Sequence, residues 1–273
     1  MGKIVSYILT LALVLSSWSA IAQEKQPRVL LIGDSIAGMY SREASSALKG
    51  KAEVHAAGNL HDFVLNSSTI FEKLDQFLGR IDRNGNPVAE EKWPKWDLIH
   101  VNVGLGDLVH CVPDLKQMRL MPHTIGGVIA TDAKQYEQNL DKLMRELKAK
   151  ALGAKIVWAS TTPIRFSRNE VFKMGTEIEY NAIAAKVMAK HRVPINDMHT
   201  YTKLLINMDK PAGHGADPFH FDKKPIHMPV VRVIEQTFRL KPMPETEEEK
   251  AVKQNASQGG VSQADQPDAR KAG

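Results

Sequence analysis

Cysteine is nearly missing from this chain of 273 residues: Cys111 stands alone. No intrachain disulfide can form, so packing and hydrogen bonds have to hold the fold, and a buried thiol is the plainest role for that one residue. Long apolar runs are also scarce. Beyond the first fifteen or so residues no stretch approaches the roughly 20 apolar residues that a membrane-spanning helix needs. Charge of one sign is never concentrated. Lys and Arg number 36 against 31 Asp and Glu, a formal net charge of +5 that falls to +4 without Lys3. The basic residues are scattered among acids, which speaks against a nucleic-acid stripe and leaves only a mild preference for anionic glycans or surfaces. Internal repeats and linker-like stretches are lacking too, so the central part of the chain reads as one domain.

What is present begins with a leader. Met1-Gly2-Lys3 is a short basic start, Ile4 to Leu15 is almost continuously apolar, and Ala20-Ile21-Ala22 fits a small-x-small cleavage site. Residues 1–22 therefore read as a secretory signal peptide, with Gln23 as the first mature residue and a periplasmic or secreted destination. A membrane anchor is the alternative, but the apolar core is short for one. After Leu240 the chain turns to Lys, Pro, Glu, Gln, Ser and Gly without apolar period, and 241–273 is expected to be a disordered tail. The domain is expected to span 23–240.

Within it, apolar runs alternate with amphipathic ones. Val29-Leu30-Leu31-Ile32 runs into Gly33-Asp34-Ser35, a fully apolar strand ending in turn residues, as in a parallel sheet. Ile36, Tyr40, Ala44 and Leu48 share one face of a following helix, with Gly50 placed to close it. Residues 51–57 form a second strand candidate ending at Gly58. Thr69 and Glu72 are spaced as a capping box for a helix whose core stripe is Ile70, Leu74, Phe77 and Ile81. Trp96 to Val103 is a strand stopping at Gly104-Leu105-Gly106-Asp107. Residues 108–131 show no period and suggest a functional loop. A helix over 133–150, a strand over 154–160, a loop over 163–176 with Arg165 and Arg168, a helix over 180–191, an edge strand at 193–195, and helices over 200–208 and 229–238 complete the pattern. Strands alternating with helices predict an α/β fold: a parallel sheet covered on both faces, a three-layer α/β/α sandwich.

In such a sheet the strand-end loops gather along one edge, which is where ligands bind. Ser35 stands there either as a helix N-cap or as a nucleophile. His220 is able to take its proton, and Asp217, three residues earlier, to hold the far ring nitrogen. The backbone N–H of Ser35 and that of Gly58 are candidate donors to an oxyanion, Gly58 being otherwise a plain turn glycine. His214, Asp217 and His220 would alternatively suit a zinc ion.

Gly33-Asp34-Ser35-Ile36, Gly58, Gly104-Leu105-Gly106-Asp107 and Asp217-Pro218-Phe219-His220 resemble, in order and separation over 28–240, the four blocks of the SGNH (GDSL-type) hydrolases. Trp96-Asp97-Leu98-Ile99-His100 and Tyr180-Asn181-Ala182-Ile183-Ala184 are similar to an exported bacterial branch. The resemblance implies a flavodoxin-like fold and a cofactor-free, metal-free Ser35-His220-Asp217 site acting on acyl esters, often acetyl groups on sugars. A small-molecule or glycan ester is the expected partner, and the scattered charge and short apolar runs predict no nucleic-acid partner and no stable membrane insertion. One position departs from the pattern. The family's third block carries an Asn whose amide completes the oxyanion hole, and Gly106 stands in its place. Loss of such a donor removes about 3–4 kcal/mol of transition-state stabilisation. Asn102, which shares a strand face with His100, the backbone N–H of Gly106, and His110 are the candidate substitutes. A catalytically weak or inactive glycan-binding protein on the same fold is the alternative function.

Overall fold

The computed structural model describes residues 25–57, 65–115, 118–166, 170–209, 221 and 224–258. The leader, Gly58, Arg168, His214, Asp217, His220 and residues 259–273 lie outside them.

Five parallel strands make the central sheet: β1 (Arg28–Gly33), β2 (Glu53–Ala57), β3 (Leu98–Asn102), β6 (Lys155–Ala159) and β7 (Ile195–Asn196), in the spatial order β2-β1-β3-β6-β7. With the short β4 (His110–Cys111) and β5 (Val128–Ile129) set aside as a separate antiparallel pair, this is the flavodoxin-like doubly wound order. The apolar run of β1 is explained by its central place, since it pairs with β2 on one side and β3 on the other. Val29 to Ile32 are at most 1% exposed. Helices lie on both sides of the sheet. These are α1 (Ser35–Ala47), α2 (Ile70–Phe77), α3 (Ala133–Lys150), α4 (Thr176–His191), α5 (Met198–Leu205), α6 (Met228–Phe238) and α7 (Glu247–Gln258).

The expected stripes are the buried ones. Ile36, Tyr40, Ala44 and Leu48 are buried, as are Tyr136, Leu140, Leu143, Met144 and Leu147 of α3. Asn139 joins the α3 stripe because its amide donates to Ser67 Oγ at 2.9 Å and Ser68 Oγ at 2.8 Å. α4 starts at Thr176, a turn earlier than the apolar period suggested. The segment 108–131, expected as a loop, carries a short antiparallel pair: β4 pairs with β5, and Cys111 also bridges Leu120.

Two expectations are corrected. Thr69 and Glu72 do not form a capping box. Asn66 Oδ1 instead accepts from the N–H groups of Ser68 and Thr69 at 2.9 and 2.8 Å, and Thr69 Oγ1 is occupied by the N–H of Asn66. The α2 helix stops at Phe77, and Ile81 bridges Pro87 across the turn that follows. The second correction concerns the tail, which is not disordered from residue 241. A capping box does form there: Glu249 N–H donates to Thr246 Oγ1 at 3.1 Å, and Thr246 N–H donates to Glu249 Oε2 at 3.0 Å. Ion pairing then supplies what apolar period does not. Arg232 of α6 donates to both carboxylate oxygens of Glu249 at 2.8 Å, to Glu235 at 2.8 Å and to the Met243 carbonyl at 2.8 Å. Asn255 donates to the Leu204 carbonyl at 3.2 Å, which seats α7 against α5.

Candidate active site

The sheet order reverses between β1 and β3, the switch point at whose carboxyl ends doubly wound sheets place their ligands. Gly33 faces Asn102 across this junction. A Cβ on Gly33 would lie 2.4 Å from that of Ala37 and 2.7 Å from the Asn102 carbonyl, so only glycine lets α1 start this close to the sheet. Asp34 then caps α1: its Oδ1 accepts from Ile36 N–H at 2.9 Å. The cap therefore belongs to Asp34, and Ser35 is the first helical residue, half-buried at the helix N-terminus. Ser35 need not close the helix, and the positive end of the helix dipole lies at its backbone.

Asp34 is fully buried, and burial raises its carboxyl to about 7, with the nearby Asp107 charge adding to the effect against several backbone N–H groups. Its Oδ2 has no hydrogen-bond partner. Beside it, β3 delivers a short 3₁₀ turn, Leu105–Asp107, preceded by Gly104. A Cβ on Gly104 would meet Thr161 Oγ1 at 2.4 Å and Tyr136 OH at 3.2 Å. Asp107 is also fully buried; burial raises its carboxyl to about 6, although bonds from Ser67 and Thr131 pull it down. It accepts from Ser67 N–H at 2.9 Å and Ser67 Oγ at 2.6 Å, and its carbonyl accepts from Thr131 N–H at 3.2 Å. Asp107 thus ties the segment after β2 and the approach to α3 to the turn after β3.

Asn102 is 3% exposed, and its Nδ2 has no partner. It is an unused donor on the strand position that pairs with Gly33, two residues before Ser35. His100, on the same strand face, serves the core: burial lowers its imidazole to about 4, its Nε2 meets Asn196 Nδ2 at 3.1 Å, and its ring stands edge-on to Tyr40. His110 sits on β4, away from the strand end, with Nδ1 3.2 Å from the Val171 carbonyl. Burial lowers it as well, and its ring lies 5.3 Å from that of His123, tilted by 56°.

No protein-family model matches the chain, and no curated protein matches it in sequence. Solved structures do match in shape. A lipase/acylhydrolase from Enterococcus faecalis aligns with a TM-score of 0.53 at 16% identity, over 81% of this chain and all of that one. A putative GDSL-like lipase from Parabacteroides merdae gives 0.52 at 14% identity, over 80% and 97% of the two chains. An acetyl xylan esterase from Geobacillus stearothermophilus gives 0.53 at 13% identity, over 81% and 97%. The chain has the SGNH hydrolase fold.

On that fold, the structure brings Ser35, Asn102 and the Gly104–Asp107 turn to one edge of the sheet. Gly58, Asp217 and His220 lie outside the described residues, as do His214 and Arg168. Gly106 is buried in the 3₁₀ turn and has a backbone N–H as its only donor. Among the described residues no cluster of three or more His, Cys, Asp or Glu could hold a metal ion. Two contributors were not among the expected site residues. Asp34 carries a signal for its role, an acidic residue immediately before the helix. Tyr136 was visible only as a core residue of α3; its hydroxyl, fully buried and without a partner, approaches the Gly104 turn, which only the packing reveals.

Proposed function

We propose that this chain is an exported serine esterase that removes O-acyl groups, and specifically O-acetyl groups, from carbohydrate. Ser35 Oγ attacks the ester carbonyl and passes its proton to His220, which Asp217 orients. The alcohol leaves with that proton, and water then releases the acyl group from Ser35 by the same base. The backbone N–H groups of Ser35, Gly58 and Gly106 and the amide of Asn102 receive the oxyanion. The observation that carries this reading is the place of Ser35: first residue of α1, at the β1/β3 switch point, with the cap supplied by Asp34. The acetyl xylan esterase of similar fold supports the substrate class. The leader sequence supports export, and no described helix is long and apolar enough to cross a membrane.

Hydrolysis of p-nitrophenyl acetate by the mature protein, beside Ser35→Ala, tests the mechanism. Loss of turnover in the variant is expected, and equal rates would remove the serine from it. Turnover lost to a chelator and restored by zinc would move the chemistry to a metal. One observation favours a second reading: Gly106 has no side chain where the family pattern has an amide. A glycan-binding protein without turnover would bind acetylated oligosaccharides and leave p-nitrophenyl acetate intact.

A further inference from the structure

Ser35, Met39 and Glu43 lie four residues apart and so form one stripe along α1. At 1.5 Å per residue, Met39 is about 6 Å and Glu43 about 12 Å along the helix axis from the serine. Met39 and Glu43 of this stripe, one and two turns beyond Ser35, line a groove of about 420 Å³ with, among the described residues, Phe221, Lys224, Ile226 and His227 on its other side. Such a volume lies in the range of small-ligand sites. The groove is amphipathic. Phe221 and Ile226 are 2% and 4% exposed and, with the partly exposed Met39, give an apolar floor. Glu43 and Lys224 are exposed on the rim and offer one acceptor and one donor of opposite charge. Burial lowers the His227 imidazole, against the pull of the Glu43 and Glu249 charges, so near neutral pH it is an uncharged donor and acceptor. His227 begins α6 without using its side chain as a cap, which leaves the ring available to the groove.

An acyl chain would leave these polar groups unpaired, and a charged ligand would meet both signs. A sugar fits both surfaces: its C–H face lies on apolar carbon while its hydroxyls need neutral or charge-balanced partners. We propose that the groove beside α1 seats the sugar portion of the substrate, with Met39, Phe221 and Ile226 under the ring and Glu43 and His227 on its hydroxyls. This rests on the reading of Ser35 as the nucleophile. It assigns the groove to the alcohol side of the ester and leaves the Gly104–Asp107 side for the small acyl group. The 6–12 Å reach along α1 suits a short oligosaccharide better than a single ring.

Binding separates this proposal from catalysis. The Ser35→Ala protein is titrated calorimetrically with acetylated xylo-oligosaccharide, alone and with Glu43→Ala, Glu43→Gln, His227→Ala or Met39→Trp added. A tenfold or greater weakening by Glu43→Ala, His227→Ala and Met39→Trp is expected, with Glu43→Gln closer to the parent because it keeps an acceptor. Lys95→Ala, in a separate surface hollow by Trp93 and Trp96, is expected to leave affinity unchanged. Circular dichroism of each variant identifies any that fail to fold. Affinity indifferent to all three groove substitutions, or no binding by the parent, would overturn the assignment. Groove-dependent binding by a protein that does not cleave p-nitrophenyl acetate would keep the groove and remove the esterase. Cleavage with groove-independent binding would do the reverse.

Discussion

Asp34 supplies the α1 cap from a fully buried carboxyl, and its stability cost depends on pH in a calculable way. Burial raises the carboxyl from 3.8 to about 7, so between those values the folded chain holds a proton that the unfolded chain releases. Stability from this group is therefore fully present below about pH 4, falls as pH rises, and levels off above about pH 7. Three units correspond to about 4 kcal/mol, at a slope of no more than about 1.4 kcal/mol per pH unit. Asp34→Asn keeps a good N-cap side chain but has no charge to bury. Urea unfolding of both proteins, followed by circular dichroism at intervals from pH 4 to 8, isolates the effect, because Asp107 and every other group is common to both. The variant is expected to match or trail the wild type at pH 4 and to exceed it by several kcal/mol at pH 8. Asp34→Ala, without the cap, is expected to lie about 1 kcal/mol below Asp34→Asn throughout. A difference between wild type and Asp34→Asn that does not change with pH, or that changes in the opposite sense, would refute a carboxyl whose burial outweighs its backbone hydrogen bonds.

Other outcomes follow from the same geometry. Gly104→Ala places a Cβ 2.4 Å from Thr161 Oγ1 and should cost about 1–3 kcal/mol of unfolding free energy, largely recovered when Thr161→Ala is added. Asn102→Ala should lower kcat for p-nitrophenyl acetate by about 100-fold with little change in KM, as expected for a donor used only by the oxyanion. Arg232→Ala leaves Glu235, 3% exposed, and Glu249 without their main cation. About 3 kcal/mol of stability should be lost, and limited proteolysis should cut between Leu240 and Glu247. Arg232 and the Thr246 N–H outweigh burial and hold the Glu249 carboxyl below its ordinary range, so the contact that seats α7 is present near neutral pH. It should be released as acid protonates that carboxylate, which the same proteolytic cut reports.

The sheet was legible because burial on both faces leaves a strong mark: Val29 to Ile32 cannot be read as a surface segment, and the α3 stripe fixes its helix to the residue. Local capping was less legible, because two sequences with the same spacing behave differently. Thr69 and Glu72 are displaced by Asn66, whose Oδ1 already accepts from the Ser68 and Thr69 N–H groups. Thr246 and Glu249 form the box, in a stretch whose composition argued for disorder, because Arg232, far away in sequence, fixes the carboxylate. Long-range ion pairs leave no local periodicity to read. At the site, the Gly-Asp-Ser motif located the crevice, but the division of labour within it depended on geometry. Asp34 caps, which leaves Ser35 to head the helix, and the donors of Asn102 and Tyr136 lie unused near the turn.

Everything in the functional account turns on Ser35. Treatment of the protein with a fluorophosphonate, followed by peptide mapping in a mass spectrometer, asks directly whether that hydroxyl is nucleophilic. One adduct per chain is expected, on the peptide carrying Gly33-Asp34-Ser35, formed in step with loss of p-nitrophenyl acetate turnover and not formed in Ser35→Ala. Turnover that persists in an unlabelled protein, or a label on another residue that abolishes it, would show that Ser35 is not the nucleophile.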